Sequence, residues 1–364
     1  MTICTITCHD VYNAGASLQA FALCSFLNQQ GHSTYIIDYK PHYLSQQYIL
    51  WGNVSPKYDK PIYRLLYQLA KLPIRLLRRL GKRKKAYDNF RAKYLPLSKK
   101  KYRSIEDLQA SPPVADVYFA GSDQIWNTLF PNGKDPAFYL TFVSDSKIKA
   151  SYAASFATNS ISTDCKNNVK NWLHNLDFIS VRESSGLNIL SELGIQYGTQ
   201  VLDPVFLLSK DQWQAIEEPF KIKSPYILLY DFDKSEDVKE FVIRKAKLNG
   251  WKIYSILPCE YADSVFSHCG PTILPTLIHY ASLIVSNSFH ATAFSLIYEK
   301  NFIVFDRSEE INSRMQDLLN LIGGEAKQEH RDYSVIRPRI QSALNNSTKF
   351  ISTVLLEAEE RRKQ

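Results

Sequence analysis

The sequence has few cysteines, no long apolar run and no basic, apolar start, and each absence narrows the possible functions. Its six cysteines are scattered, so we expect buried thiols of a reducing compartment rather than a disulfide framework. Cys259 and Cys269 flank His268 without the spacing of a four-ligand zinc site, and neither a metal nor a cofactor is expected. No stretch of about 18 apolar residues could span a bilayer, and the start is too short and polar for a signal peptide. We therefore expect a cytoplasmic protein.

Positive charge is in excess, and one segment holds it. Residues 60–103 contain sixteen Lys and Arg and one acid, Asp88. The segment has a net charge of +15, whereas the whole chain of 364 residues has +8, so the remainder has −7. Leucines recur in this segment at helical spacing and predict an apolar stripe: Leu65, Leu66, Leu69, Leu72, Leu76, Leu77 and Leu80.

Three interpretations fit this basic segment. A helix with one apolar and one basic face suits an anionic membrane surface, which we expect as its partner, at the inner face of the cell membrane. Alternatively, the leucines pack on the rest of the domain and the basic side chains are only solvated. Nucleic acid is the least favoured partner and is not expected, because no base-stacking or groove-reading motif accompanies the charge. Pro73 is expected to divide the segment into two short helices.

Two runs of alternating strands and helices predict the fold. The strand-like “TICTIT” and “STYIIDY” flank the helix-like “GASLQAFALCSFLNQQG”, and the pattern restarts with “YILLYDF” after a break near residue 215. Such alternation predicts parallel sheets with right-handed crossovers. We therefore predict an α/β protein of two Rossmann-like domains facing across a cleft. The first covers residues 1–215 with the basic insertion, and the second covers 216–364 with a long final helix.

Ligands of parallel sheets bind beyond the carboxyl ends of the strands, and several polar residues are predicted to lie there. Asn13 and Gly15 open a helix whose first amides can hold an anion, although any strand–helix turn needs such residues. In “GSDQIWN”, Asp123 and Trp126 combine an acid with a flat apolar ring, which suits a sugar. The alternative is that Asp123 caps a turn.

Two further positions combine charge with a strand end. Arg182 follows “FISV” and is either a clamp for a carboxylate or phosphate or half of a weak surface pair with Glu183. His290 follows Ser288 in the first turn of a predicted helix. There the amides and the helix dipole attract an anion, and an imidazole can move a proton near neutral pH. The alternative is a capping serine beside a packed histidine.

Six segments in order resemble the polysaccharide pyruvyltransferase family over residues 1–320: “VYNAGASLQAFAL”, “GSDQIWN”, “SYAASF”, “SVRES”, “VLDPVFLL” and “SNSFHATAFSLIYEKNF”. The resemblance implies a GT-B-like fold and transfer of pyruvyl from phosphoenolpyruvate to a hexose of a surface-glycan precursor, forming a cyclic ketal and releasing phosphate. It implies donor binding at Arg182 and around His290, at Ser288, Phe289 and His290, and we expect Arg314 to join them. It implies binding of the sugar acceptor, which can be lipid-linked, at Asn13, Gly15, Ser122, Asp123, Gln124 and Trp126.

The resemblance also implies catalytic roles. His290 would donate the proton to phosphoenolpyruvate, and Asp123 would be the base or the anchor of an acceptor hydroxyl, with Trp126 as the platform for the sugar. Two other functions fit the pattern: a GT-B glycosyltransferase that uses a nucleotide sugar, and a non-catalytic glycan-binding protein.

One position departs from the family pattern. Some branches of the family carry an arginine two residues before this histidine, where Ser288 stands here. Either Arg314 or Arg307 can supply the missing positive charge.

Overall fold

The structure, a computed structural model, describes residues 1–44, 61–221, 224–307 and 313–363. Its first sheet has five parallel strands in the order β3-β2-β1-β4-β5. These strands are β1 Thr2–Ile6, β2 Ser33–Tyr39, β3 Leu97–Tyr102, β4 Val117–Ala120 and β5 Ile148–Ser151. A parallel pair, β6 Ile179–Val181 and β7 Gly198–Gln200, continues the sheet beside β5, where Ser151 N donates to Phe178 O at 2.9 Å.

The second sheet has the same design, with the strand order β10-β9-β8-β11-β12, all parallel. Its strands are β8 Tyr226–Tyr230, β9 Lys252–Ser255, β10 Ser264–Val265, β11 Leu283–Ser286 and β12 Phe302–Val304. The central strands β8 and β11 are buried along their whole length, which explains their uninterrupted apolar sequences. The predicted α/β architecture of two Rossmann-like units is confirmed.

Helices cover the faces of both sheets. They are α1 Ala14–Gln29, α2 Pro61–Leu80, α3 Lys82–Tyr94, α4 Ile105–Ala110, α5 Lys166–Leu173, α6 Ser184–Glu192, α7 Lys210–Gln214, α8 Glu236–Asn249, α9 Ile273–Tyr280, α10 Phe289–Ile297, α11 Ser313–Ile322 and α12 Tyr333–Lys363. Short 3₁₀ helices lie at Pro131–Lys134, Pro136–Tyr139 and Pro204–Leu207. Among the residues described, no helix is long and apolar enough to cross a membrane.

An apolar core joins the two sheets through α1. Phe21 of α1 lies 5.7 Å from Trp213, and Trp213 lies 4.8 Å from Phe294 of α10, between ring centroids. Trp213 is fully buried, and its indole nitrogen donates to Val205 O at 3.0 Å. The two walls of the cleft are therefore packed against each other at its base.

The basic segment folds as two helices, but the break is not at Pro73. Helix α2 continues through Pro73 to Leu80, and Gly81 is the N-cap of α3, so the expected division at Pro73 is wrong. A proline inside a helix deprives the carbonyl four residues earlier of its hydrogen bond. That carbonyl belongs to Leu69, which lies on an exposed part of the helix (47% exposed), where water can replace the missing donor. Lys60 lies outside the described residues.

The long final helix α12 contacts both units. Near its start, Tyr333 Oη donates to the carbonyl of Lys300, just before β12. Further along, Val354 packs in the same cluster as Ile3 and Val117 of the first sheet. The helix that we assigned to the second domain therefore returns to the first and clasps the two together.

Candidate functional site

Two helix N-termini face each other across the cleft. Asn13 is the N-cap of α1, where its Oδ1 accepts a hydrogen bond from Ala16 N at 3.2 Å. Ser288 is the N-cap of α10, where its Oγ accepts from Ala291 N at 3.4 Å. Each helix end carries free amides and the positive end of a dipole, so the space between them favours an anion.

Gly15 permits the closest approach between these two helices. A Cβ atom placed on Gly15 would lie 2.0 Å from Nδ1 of His290, far inside van der Waals contact. The imidazole of His290 therefore occupies the space that any larger residue at this position would need. Both residues are predicted site residues, and the structure brings them together from opposite domains.

The other face of His290 is directed at a buried aspartate that the sequence analysis did not identify. His290 Nε2 lies 3.6 Å from Asp203 Oδ2, and the Asp203 side chain is fully buried. Asp203 also accepts a hydrogen bond from Val205 N at 3.1 Å. It comes just after β7, beside the strand that precedes Arg182. The sequence signal that could have identified Asp203 is its position just after β7, the parallel neighbour of the strand that precedes Arg182.

Arg182 bridges two carboxylates. One end of its guanidinium, Nη1, contacts Asp203, and the other, Nη2, lies 3.1 Å from Asp123 Oδ1. Its side chain is only 2% exposed. Both terminal nitrogens of Arg182 thus contact carboxylates. Its expected role as a direct clamp for the donor stays a prediction.

Arg314 supplies a second guanidinium to the same cluster. Its Nη1 lies 3.7 Å from Asp123 Oδ1. Both guanidinium carbons lie near the ring centroid of Phe289, at 4.8 Å for Arg182 and 5.8 Å for Arg314, within the range of a cation–π contact. Phe289 thus spaces two like charges on one aromatic surface.

Burial and charge shift the pKa values of this cluster in definite directions. Burial alone would raise the pKa of Asp123, but Arg182, His290 and Arg314 outweigh it and hold that pKa below its usual value. The pKa of Asp203 is likewise held well below normal, because His290 and Arg182 overcome the effect of burial. Burial and the neighbouring Arg182 lower the pKa of Arg314 to about 10. Both acids are therefore carboxylates at neutral pH.

The backbone at Asp123 directs its carboxylate into the cleft. Asp123 has φ +74°, a left-handed conformation that aspartate tolerates better than most residues. Its carbonyl accepts from Ser155 N at 3.0 Å, which ties the turn to the strand end at β5. Before it, Gly121 has φ +124°, and a Cβ there would lie 2.3 Å from Tyr152 O. The glycine in “GSDQIWN” is thus required by close backbone packing.

Two residues predicted for the acceptor site lie in the core instead. Trp126 is fully buried, with its ring stacked on Tyr139 at 5.5 Å and 5°, and its indole nitrogen donates to Phe138 O at 2.9 Å. It cannot be a platform for a sugar, because protein already covers the ring. Ser122 is also fully buried and donates to Ala153 O at 2.7 Å, so it fixes the turn that carries Asp123.

The surface pair considered for Arg182 and Glu183 does not exist. Glu183 is fully buried. Its Oε1 accepts from Ser155 Oγ and from the amides of Phe156 and Ala157, at 3.0, 2.8 and 3.0 Å. The acid in “SVRES” therefore anchors the “SYAASF” segment, and the adjacent arginine is left to face the cluster.

A cavity of about 140 Å³ lies between the helix N-termini and the charge cluster. The predicted site residues that line it are Asn13, Gly15, Asp123, Gln124, Ser288, Phe289, His290 and Arg314. Arg307 also lines it and lies 3.7 Å, through Nε, from Asp233 Oδ1. A second cavity of about 360 Å³ adjoins the first, and Arg182, Phe289 and Arg314 form part of its wall.

The fold and this cavity define a two-domain α/β protein whose cleft can hold an anion beside an ionisable histidine. A family model described as polysaccharide pyruvyl transferase matches residues 13–309. The chain therefore belongs to the polysaccharide pyruvyl transferase family. The matched range includes every cavity-lining residue named above except Arg314. No curated protein matches the chain.

Solved structures with a similar course of the chain include two epimerases and a glycosyltransferase. A UDP-GlcNAc 2-epimerase from Neisseria meningitidis bound to UDP-GlcNAc has 11% identity and a TM-score of 0.47, covering 98% of this chain and 100% of its own. A UDP-GlcNAc 2-epimerase from Methanocaldococcus jannaschii has 12% identity and 0.44, covering 98% and 100%. A glycosyltransferase from Streptomyces sp. SF2575 complexed with thymidine diphosphate has 14% identity and 0.40, covering 100% and 98%. Likeness at this level says nothing about the reaction of this chain.

Proposed function

We propose that this protein transfers the pyruvyl group of phosphoenolpyruvate to two hydroxyls of a hexose in a surface-glycan precursor, forming a cyclic ketal and releasing phosphate. Membership of the pyruvyl transferase family supports the group that is transferred. The observation that carries the proposal is the meeting of His290, Arg314 and Asp123 in one cavity between two helix N-termini. Such a cavity combines anion binding with proton transfer, and both are needed for this reaction.

The donor is assigned to the anion-binding side of the cavity. Phosphoenolpyruvate carries a carboxylate and a phosphate, which charge-assisted hydrogen bonds hold best. The amides at the start of α10, after Ser288, and the guanidiniums of Arg314 and Arg307 offer such contacts. Arg314 is the stronger candidate for the charge that an arginine supplies in other branches at the Ser288 position, because it is almost fully buried beside Asp123.

Proton movements in the reaction balance as follows. A proton goes to carbon 3 of phosphoenolpyruvate, which becomes a methyl group, and positive charge develops at carbon 2. One sugar hydroxyl adds to carbon 2 and loses its proton. The second hydroxyl then displaces phosphate and also loses its proton, which closes the ketal. Of the two hydroxyl protons, one balances the proton taken up by carbon 3 and the other leaves with phosphate.

His290 is assigned to the proton delivered at carbon 3. The carboxylate of Asp203 lies 3.6 Å from Nε2 and orients the ring. Removing a general acid typically costs about 10²–10⁴-fold in rate. Because Nδ1 is the atom that faces Gly15, the ring has little freedom to turn away from the cavity.

Asp123 is assigned to the acceptor, first as an anchor for a sugar hydroxyl. With its pKa held low by the nearby cations, it is a weak base in the free protein. Binding of a donor to Arg314 would partly neutralise that cation and raise the pKa of Asp123. The carboxylate would thus become a better base only when the donor is in place. Asn13 and Gln124, which line the same cavity, complete the polar surface for the sugar.

The acceptor that we propose is a lipid-linked hexose, presented at the inner face of the cell membrane. Phosphate release from phosphoenolpyruvate is measured with the purified protein and a panel of galactosyl, glucosyl and mannosyl lipid-linked acceptors. The product should gain the mass of one pyruvate less one water. His290→Gln should slow release about 10²–10⁴-fold. The matched control is His174→Gln, at the exposed C-cap of α5, which should not slow it. Turnover of a nucleotide sugar without use of phosphoenolpyruvate would overturn the proposal, as would failure with every acceptor.

A further inference from the structure

Helix α2 lies on the surface with its apolar face uncovered. Its exposed side chains include six leucines at 40% to 80% exposure: Leu65 52%, Leu66 57%, Leu69 47%, Leu76 40%, Leu77 73% and Leu80 80%. The alternative that these leucines pack on the first domain therefore does not hold. Exposed leucines in such number on one helix indicate a binding surface rather than chance exposure.

The leucines and the cations occupy separate sides of α2. At 100° per residue, the leucines from Leu65 to Leu80 fall within an arc of about 140°. On the opposite side, Lys71, Arg78 and Arg79 lie within an arc of about 100°. The sequence Pro61–Leu80 contains no acidic residue. A helix of this kind buries its apolar face at a boundary whose other side is negatively charged.

We propose that α2 docks on the anionic surface of a lipid bilayer, in the plane of the interface, with its leucines among the acyl chains. Charge argues for this occupant over a second copy of the chain, since pairing two α2 helices would bring two segments of net charge +15 together. An anionic bilayer also fits better than nucleic acid, because the phosphates of a nucleic acid would pair with the cations and leave the leucine face in water. An anionic bilayer satisfies both faces at once.

Helix α3 connects this surface to the cleft. Arg83, in the first turn of α3, donates through Nη2 to Tyr12 O at 3.0 Å and through Nη1 to Ser267 O at 2.9 Å. Tyr12 immediately precedes Asn13 of the cavity, and Ser267 belongs to the second domain. The C-terminal end of α2 therefore lies beside the rim of the cleft, where Arg83 of α3 contacts both of its walls. A chain docked through α2 holds its cleft close to the lipid surface.

Single side chains should have measurable effects on docking. Each Lys or Arg near an anionic surface strengthens binding about fivefold, so Lys71→Gln/Arg78→Gln/Arg79→Gln should weaken it about 100-fold. The double variant Leu69→Ser/Leu77→Ser should weaken binding by a similar factor or more, because each fully buried leucine contributes roughly tenfold. Both sets of residues are exposed in the free protein, so the variants should fold normally, as measured by circular dichroism.

The test is co-sedimentation of the full chain with vesicles of phosphatidylcholine alone or mixed with phosphatidylglycerol, at low and high salt. The matched control is Lys99→Gln/Lys100→Gln/Lys101→Gln, which removes three exposed charges from strand β3 of the same basic segment. We expect binding that requires phosphatidylglycerol, weakens with salt, is lost in both α2 variants and is largely kept in the control.

Equal binding to both vesicle types, or none to either, would overturn docking on an anionic bilayer. Equal loss in the β3 control would show that net charge rather than α2 is responsible. Light scattering provides the remaining outcome: a dimer that Leu69→Ser/Leu77→Ser dissociates, without vesicle binding, would assign the surface to a second copy. None of these measurements uses the transfer reaction, so they test membrane docking independently of the proposed reaction.

Discussion

Replacing Gly15 with alanine places a methyl group in the space that the imidazole of His290 occupies. The new Cβ would lie 2.0 Å from Nδ1, 2.4 Å from Cγ and 2.5 Å from Cε1, where ordinary contact begins at 3.4 Å. The ring must therefore move by about 1.4 Å to restore ordinary contact, and the cavity that His290 lines gives it room to do so. A displacement of about 1 Å from the reacting geometry typically costs on the order of 100-fold in rate. We expect kcat/KM for phosphate release to fall by that factor in a folded variant.

A double-mutant cycle separates this contact from a general defect. With His290 present, Gly15→Ala should destabilise the protein, because overpacking costs about 1–3 kcal/mol and exceeds the gain of up to about 1 kcal/mol from a better helix former. In a His290→Ala background the obstacle is gone, so the same substitution should stabilise the protein by up to about 1 kcal/mol. Urea unfolding measures both. The same loss in both backgrounds, or near-wild-type turnover in Gly15→Ala, would refute the contact.

Three further predictions concern the charge cluster and the core. Arg314→Gln should raise the dissociation constant for phosphoenolpyruvate about tenfold or more in calorimetry, since a charge-assisted hydrogen bond is worth about 1.5–3 kcal/mol; unchanged affinity would exclude Arg314 from the donor site. Asp203→Asn should cost about 3–5 kcal/mol in urea at neutral pH by removing one of the two carboxylates that pair with the buried Arg182. Because the folded pKa of Asp203 lies below its unfolded value of about 3.9, its contribution is present above that pH and lost below it, so the penalty should shrink near pH 3. Trp126→Ala should cost about 3–5 kcal/mol, whereas Trp126→Phe should leave the KM for the acceptor unchanged; a raised KM would restore Trp126 to the site.

The fold was predictable because strands and helices each have a characteristic spacing of apolar residues. Buried central strands such as β8 are continuous apolar runs, and α1 follows its N-cap Asn13 and ends near a glycine. The carboxyl ends of the strands then located Asp123 and His290 in one cavity without any knowledge of contacts. The spacing of apolar residues predicts that a helix forms but does not predict where in the fold it packs. The return of α12 to the first sheet depends on packing between segments far apart in sequence.

The errors at the site share a physical cause. Trp126 was assigned to a surface because it follows a strand end. Its burial depends on neighbours such as Tyr139, which lie outside the motif that contains Trp126. Asp203 was not identified from the sequence; an aspartate before a proline is typical of a turn cap, and Asp203 does cap that turn by accepting from Val205 N. Its second role, beside Arg182, depends on the pairing of β6 with β7. Residue type identified candidates, while only the tertiary structure separated those facing the cleft from those in the core.

The contact of Phe21, Trp213 and Phe294 has a consequence for how the molecule responds to heat and to ligands. Because α1 of one domain and α10 of the other share this core, neither wall of the cleft can unfold without exposing aromatic surface on the other. The two domains should therefore melt as one cooperative unit, and the cleft should not open and close as a hinge. The cleft should then be preformed, with the same shape before and after its substrates bind.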